Sequence, residues 1–339
     1  MKKTLLVSIL CFFISHNLVH SQMTGFENIL GADISFLPEL EAKGIVFSDK
    51  GVSQDLILLL KEKGFNYIRL RIFVDPAADS GYSPNKGFCD LAHTLIMAKR
   101  IHDAGLKLLL DFHYSDNWAD PGHQIIPAAW KNLSFNGIKK ALRNHTIEVL
   151  TALHQQHTFP DMIQVGNEIN HGIVWPAGDM DHQNQLIDLL KEGVAAIKKI
   201  NKTVPIMMHL ACGGQNEESR KFLDQLIAKK VTFDVIGQSY YPQWHGTLDD
   251  LKNNLTDLSK SYKQEIIVVE YTALKKEVNE IAFSIPNKKM RGTFIWEPLN
   301  TWEKIFDKDG KSNVLIEVYP EISKKWLNPT QKLLCKTGI

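Results

Sequence analysis

One alternation restricts this chain more than any other feature. A short apolar or β-branched run is followed by a polar loop rich in aromatics and then by a segment of helical periodicity, and the cycle recurs along most of the sequence. The runs are Leu30 to Ile34, Tyr67 to Val74, Leu106 to His113, Met162 to Val165, Val204 to His209, Phe233 to Ile236, Ile266 to Val269 and Gly292 to Trp296, eight in all. Between them the pattern predicts helices at Gln54 to Lys63, Leu91 to Asp103, Ile138 to His154, Gln183 to Lys199, Glu217 to Ala228 and Leu248 to Tyr262. Gly64, Gly105 and Asn201 stand where helices commonly end. Eight strands with helical crossovers predict an α/β chain folded as a (β/α)₈ TIM barrel, with a doubly wound open sheet as the alternative. No Pro/Gly/Ser-rich linker and no fixed repeat divides the 339 residues, so a single domain is expected.

The N-terminus reads differently. Lys2 and Lys3 precede an apolar run, Leu5 to Ile14, that is too short to span a bilayer, and polar residues follow. Residues 1–21 are therefore expected to be a cleaved signal peptide, and 22–339 the barrel domain of a secreted or periplasmic protein with no membrane span. A lipid-modified Cys11 is the rival reading, disfavoured because Ser8-Ile9-Leu10 lacks the small residue usual before such a cysteine. Cys89, Cys212 and Cys335 form an odd, widely spaced set with no C-x-x-C pair for metal or redox work. Lys and Arg number 39 against 38 Asp and Glu, so the near-zero balance offers no basic surface for nucleic acid. There is no Gly-rich phosphate loop or dinucleotide fingerprint, and we expect no cofactor.

In a barrel, chemistry sits at the C-terminal ends of the strands. The fourth run ends in Gly166-Asn167-Glu168 and the seventh in Glu270, which places two carboxyl groups across the mouth from each other. Such a pair is what retaining glycoside hydrolysis needs: one nucleophile, and one group serving first as acid and then as base. The third run delivers His113, Asp116 and Trp118, the sixth Tyr240, Tyr241 and Trp244, and the eighth Trp296. Trp118, Trp130, Trp175, Trp244, Trp296 and Trp302 all fall at or after strand ends, as aromatics stacking on sugar rings would. His113, His209 and His245 admit a metal-hydrolase reading, but no H-x-H or H-E-x-x-H pairing supports it, and no metal is expected.

Together, Gly31-Ala32-Asp33-Ile34-Ser35, Arg69-Leu70-Arg71, Asp111-Phe112-His113-Tyr114-Ser115-Asp116 with Trp118-Ala119-Asp120-Pro121, Gly166-Asn167-Glu168, Ser239-Tyr240-Tyr241-Pro242 and Trp296-Glu297-Pro298 resemble the endo-β-1,4-galactanases of glycoside hydrolase family 53, in clan A. The resemblance runs from about Gly31 to Pro298. It implies Glu168 as acid/base, Glu270 as nucleophile and Asn167 on the sugar 2-hydroxyl, acting on β-1,4-galactan of pectin side chains, as a monomer. His113, Asp116, Trp118, Tyr240, Trp244, Trp296 and Arg71 are expected in the substrate site. Either Arg69 or Arg71, and either Tyr240 or Tyr241, should hold Glu270; period-two alternation puts both arginines on one face, and Arg71 is preferred as nearer the strand end. The departure lies after Glu270. Tyr271-Thr272-Ala273 follows it, and only 25 residues separate it from Trp296, so the family's longer excursion and the calcium some relatives bind there are expected to be missing. Asp307-Lys308-Asp309-Gly310 resembles the start of a calcium loop, but its twelfth position is Val318 and a turn is expected. Another clan A hydrolase, such as a mannanase or xylanase, shares the two Glu; a galactan-binding protein without turnover has no need of them.

Overall fold

The computed structural model describes residues 27–286 and 289–327. Residues 1–21, expected to be a signal peptide, and Cys335 lie outside them. Eight parallel strands close into a barrel: β1 (Ile29–Asp33), β2 (Tyr67–Ile72), β3 (Lys107–Phe112), β4 (Met162–Val165), β5 (Ile206–Leu210), β6 (Val235–Tyr240), β7 (Glu265–Tyr271) and β8 (Met290–Trp296). Each strand pairs with the next in sequence, and β8 pairs with β1, Asp33 lying opposite Trp296. The longer helices of the crossovers are α1 (Leu56–Glu62), α2 (Leu91–Asp103), α3 (Phe135–Gln155), α4 (Gln183–Ile200), α5 (Asn216–Ala228), α6 (Leu248–Ser261) and α7 (Lys275–Ser284). After the last strand the short α8 (Val318–Ile322) packs Tyr319 and Ile322 into the core. The closed sheet excludes the open-sheet alternative.

Local chemistry fixes the helix starts. The side chains of Asp55, Asp90 and Ser134 accept hydrogen bonds from the first free backbone N–H groups of α1, α2 and α3. Thr247 and Asp250 form a reciprocal capping box at α6.

The apolar core has two shells. Outward-facing strand residues and the inner helix faces make the larger one. Inside the barrel floor, Ile29, Tyr67, Leu109, Met162, Met207, Val235, Ile267, Val269 and Phe294 make the smaller. Gly31 is required here because a Cβ would lie 2.2 Å from Cδ1 of Phe294, which fills the axis. Above this floor the inward positions turn polar, with Asp33, Arg69, Asp111, Gln164, His209, Ser239 and Glu270 all buried. That polar layer explains why β6 runs on to Tyr240 where the apolar pattern suggests an end at Ile236. Gly237-Gln238-Ser239 lacks the expected hydrophobicity but keeps the ladder.

A register shift shapes the other side of the mouth. Ser239 pairs with Glu270 while Gln238 pairs with Val268, leaving Val269 as the extra residue of a bulge. Ile267 and Val269 both face the barrel interior. Strict alternation would then send Glu270 outward, and the bulge turns it in.

Candidate active site

At the end of β4 the backbone enters the left-handed region twice, at Gly166 (φ 79°) and at Glu168 (φ 47°). A Cβ on residue 166 would lie 2.5 Å from Cγ2 of Ile169, so glycine is needed. A non-glycine residue held at positive φ costs about 1–3 kcal/mol, and here the turn delivers Glu168 into the mouth. Carboxylate oxygens of Glu168 and Glu270 approach within 4.8 Å of each other.

The two carboxyls have different surroundings. Glu270 accepts from Arg69 Nη1 at 2.6 Å on one oxygen and from the Tyr241 hydroxyl at 2.9 Å on the other. Among the described residues no cation is in contact with Glu168; the Ser239 hydroxyl stands 2.6 Å from its Oε1. Burial, and next the charge of Glu270, push the Glu168 carboxyl up to about 8. Burial also raises Glu270 above the ordinary carboxylate value, but the Arg69 charge and hydrogen bond oppose it. Arg69 therefore favours the ionised form of Glu270, while Glu168 is the member held protonated at neutral pH.

Arg69 is the hub. Besides Glu270 it reaches Asp33 at 3.1 Å, Asp111 at 2.8 Å and Asn167 Oδ1 at 2.8 Å, so one planar guanidinium orients groups from β1, β3 and the β4 turn. The preference for Arg71 as the partner of Glu270 is corrected by this geometry. Arg71 pairs with Glu297 instead, its guanidinium 4.2 Å from the Trp118 ring centroid and 4.6 Å from that of Phe36. One turn of alternation places it a layer higher on the same face, beyond reach of Glu270. Glu297, fully buried just after β8 with φ 41°, is pushed well above its usual value by burial and is a carboxyl group to which the sequence reading gave no role.

Tyr240 is corrected in the same way. Its side chain faces the outer core and its hydroxyl donates to Gly246 O, while Tyr241 supplies the contact to Glu270. Asp116 is likewise outside the cleft: its carboxylate accepts from the backbone N–H groups of Asp75 and Ala128 and ties two loops together. Trp130 is buried beneath the rim, and Trp175 anchors a loop by donating to His171 O.

Asn167, His113, Trp118, Trp244 and Trp296 do line the cleft, which encloses about 620 Å³. Trp302 joins them; its ring centroid lies 5.7 Å from Trp244 and 6.0 Å from Trp296, and the first two rings are more than half exposed. Asn167 is locked, donating through Nδ2 to Ala119 O and accepting on Oδ1 from Arg69. The three histidines considered as metal ligands are turned to protein partners. His113 accepts from Ala119 N and faces Asp111 at 3.0 Å, His245 accepts from Tyr241 N, and His209 is engaged through both ring nitrogens. Ser239, His209 and Gln164 are site residues that sequence reasoning missed as a group. Their signal was polar character at inward positions of strands otherwise apolar.

The family model for glycosyl hydrolase family 53 matches residues 29–280. An uncharacterised protein of Niallia circulans is 47% identical over 71% of this chain and 66% of its own length. The endo-beta-1,4-galactanase of Bacillus subtilis is 36% identical over 72% of this chain and 57% of its own. The chain thus spans less than two thirds of these two curated relatives. Among solved structures, the family 53 catalytic domain of Ignisphaera aggregans superposes with a TM-score of 0.81 at 32% identity, covering 86% of this chain and 95% of that one.

Proposed function

The chain belongs to glycosyl hydrolase family 53, and from that premise we propose that it is a retaining endo-hydrolase of β-1,4-galactosidic bonds in the arabinogalactan side chains of pectin. The observation that carries the mechanism is the approach of the two carboxylates within 4.8 Å. Retaining sites hold the pair about 5–5.5 Å apart, whereas inverting sites leave about 6.5–9.5 Å for a water.

In the first step Glu270, ionised and aimed by Arg69 and Tyr241, attacks the anomeric carbon. Glu168 gives its proton to the departing glycosidic oxygen, and a covalent galactosyl ester forms on Glu270. That ester removes the charge of Glu270, one of the causes holding Glu168 protonated. Glu168, now ionised, takes a proton from water as the water attacks the same carbon, and the ester bond breaks to restore Glu270. Asn167, fixed by Arg69 and Ala119, is placed to bond the 2-hydroxyl, and Trp118, Trp244, Trp296 and Trp302 offer faces to the apolar sides of the sugars. The polymer partner, the monomeric state and export through residues 1–21 belong to the same proposal.

Release of reducing ends from linear β-1,4-galactan, with β-mannan, xylan and arabinan alongside and Glu270→Ala as control, tests this reading. Galactan alone is cleaved, and the variant loses about 10⁴-fold or more of kcat. Cleavage of mannan or xylan instead overturns the substrate, and binding to galactan without turnover makes the chain a binding protein.

A further inference from the structure

Three short contacts run in line beneath the acid/base. Ser239 Oγ lies 2.6 Å from Glu168 Oε1, His209 Nε2 lies 2.8 Å from Ser239 Oγ, and His209 Nδ1 lies 2.8 Å from Asn167 Oδ1. Asn167 Oδ1 is an acceptor by its own surroundings, since it also receives Arg69 Nη2 and its Nδ2 donates elsewhere. The contact at His209 Nδ1 is therefore a hydrogen bond only when that nitrogen carries the proton. Nε2 of the neutral ring must then accept, and among the described residues the donor in contact with it is the Ser239 hydroxyl. Having given its single proton to His209, Ser239 can meet Glu168 only as an acceptor, so the proton of that contact belongs to Glu168.

The opposite assignment is built in as well. With Glu168 ionised, Ser239 donates to the carboxylate, His209 donates from Nε2, and Nδ1 becomes a lone pair. Gln164 Nε2 at 3.1 Å and the Glu168 backbone N–H at 3.4 Å stand ready to donate to it. The two states differ by one proton, the one delivered by Glu168.

We infer that Ser239 and His209 are positioning residues whose equilibrium hydrogen-bond direction differs between protonated and ionised Glu168, the ring proton leaving Nδ1 and returning at Nε2 by exchange with water, while the acid proton rests against Ser239 until a glycosidic oxygen competes for it. The inference rests on the acid/base role of Glu168 proposed above. A third state, with His209 doubly protonated, is shut out. The ring is fully buried, and burial together with Arg69 depresses its proton affinity well below the ordinary histidine value. The titratable and charged groups that face it are Arg69 from β2, His113 after β3, Glu168 after β4, His245 after β6 and Glu270 of β7, a carboxylate oxygen of which lies within 4.8 Å of a ring nitrogen. His113 is fixed with its Nε2 proton toward Asp111 because its Nδ1 accepts from Ala119 N.

Nitrogen chemical shifts of ¹⁵N-histidine-labelled full-length protein report the His209 tautomer directly, without substrate. The expected result is the Nδ1–H form near neutral pH, conversion to the Nε2–H form as Glu168 ionises, and a Glu168→Gln protein locked in the Nδ1–H form at every pH, its amide donating to Ser239. In Ser239→Ala the tautomer no longer follows pH. A His209 that keeps one tautomer across the titration of Glu168 overturns the inference. Failure of wild type to cleave galactan sinks the functional reading alone, since the tautomer measurement still decides this one.

Discussion

Arg69 shows how much can turn on one side chain. It sits between Asp33, Asp111 and Glu270 while almost wholly removed from water, and each of those carboxylates depends on it for charge balance. Lysine keeps the charge but offers a compact ammonium that cannot span four partners in fixed directions. Arg69→Lys should lower kcat on galactan by about a hundredfold, the scale of removing one electrostatic contact in a catalytic site, with Arg71→Lys losing less than about tenfold. Equal losses in the two would contradict the assignment of Arg69 to Glu270. This distinction was beyond sequence reading for a physical reason: residues two apart on a strand share a face, and which layer meets a given partner depends on barrel stagger. Tyr240 and Tyr241 failed differently. Being adjacent they face opposite sides, and only the strand's true end, hidden by the polar Gln238-Ser239, shows which one turns inward.

At the scale of elements, strands and helices were legible where apolar periodicity is unbroken, as at α2, whose expected limits of Leu91 and Asp103 are those observed. The bulge in β7 was not. Val269 and Glu270 read as an ordinary strand end, and only pairing with β6 shows the extra residue that brings Glu270 to face Arg69. Six tryptophans at strand ends suggested one aromatic rim, yet Trp130 went to the core and Trp175 to a loop, because position along the chain does not reveal which loops fold back. Packing of β1 against β8 gives a testable case. In Gly31→Ala the new Cβ meets Phe294 at 2.2 Å, an overpacking expected to cost about 1–3 kcal/mol in urea unfolding. Adding Phe294→Leu should recover part of that loss, and a double variant no more stable than Gly31→Ala would contradict the contact.

Over the whole molecule, the barrel isolates five buried carboxyl groups, Asp33, Asp111, Glu168, Glu270 and Glu297, around two buried guanidiniums, Arg69 and Arg71. The excess of acid keeps a proton in the site, and it has a consequence for stability. Glu168 is raised from 4.5 to about 8 on folding, so between those values the folded state binds a proton that the unfolded state has released. Its contribution is complete below the unfolded value and is lost as pH rises through the folded one. Glu168→Gln should therefore be more stable than wild type above about pH 8, with the difference shrinking toward pH 4.5, in thermal unfolding followed across pH. A constant difference would contradict the raised carboxyl. Activity needs the same proton, so kcat/KM should fall as pH rises through about 8, and fall again in acid as Glu270 is protonated.

Proton NMR of galactan hydrolysis, recorded before the products mutarotate, tests the two-glutamate account most directly. New reducing ends should appear first as the β-anomer, because displacement by Glu270 and then by water inverts the anomeric carbon twice. First appearance of the α-anomer would mean a single displacement by water, and would contradict the role of Glu270 as nucleophile.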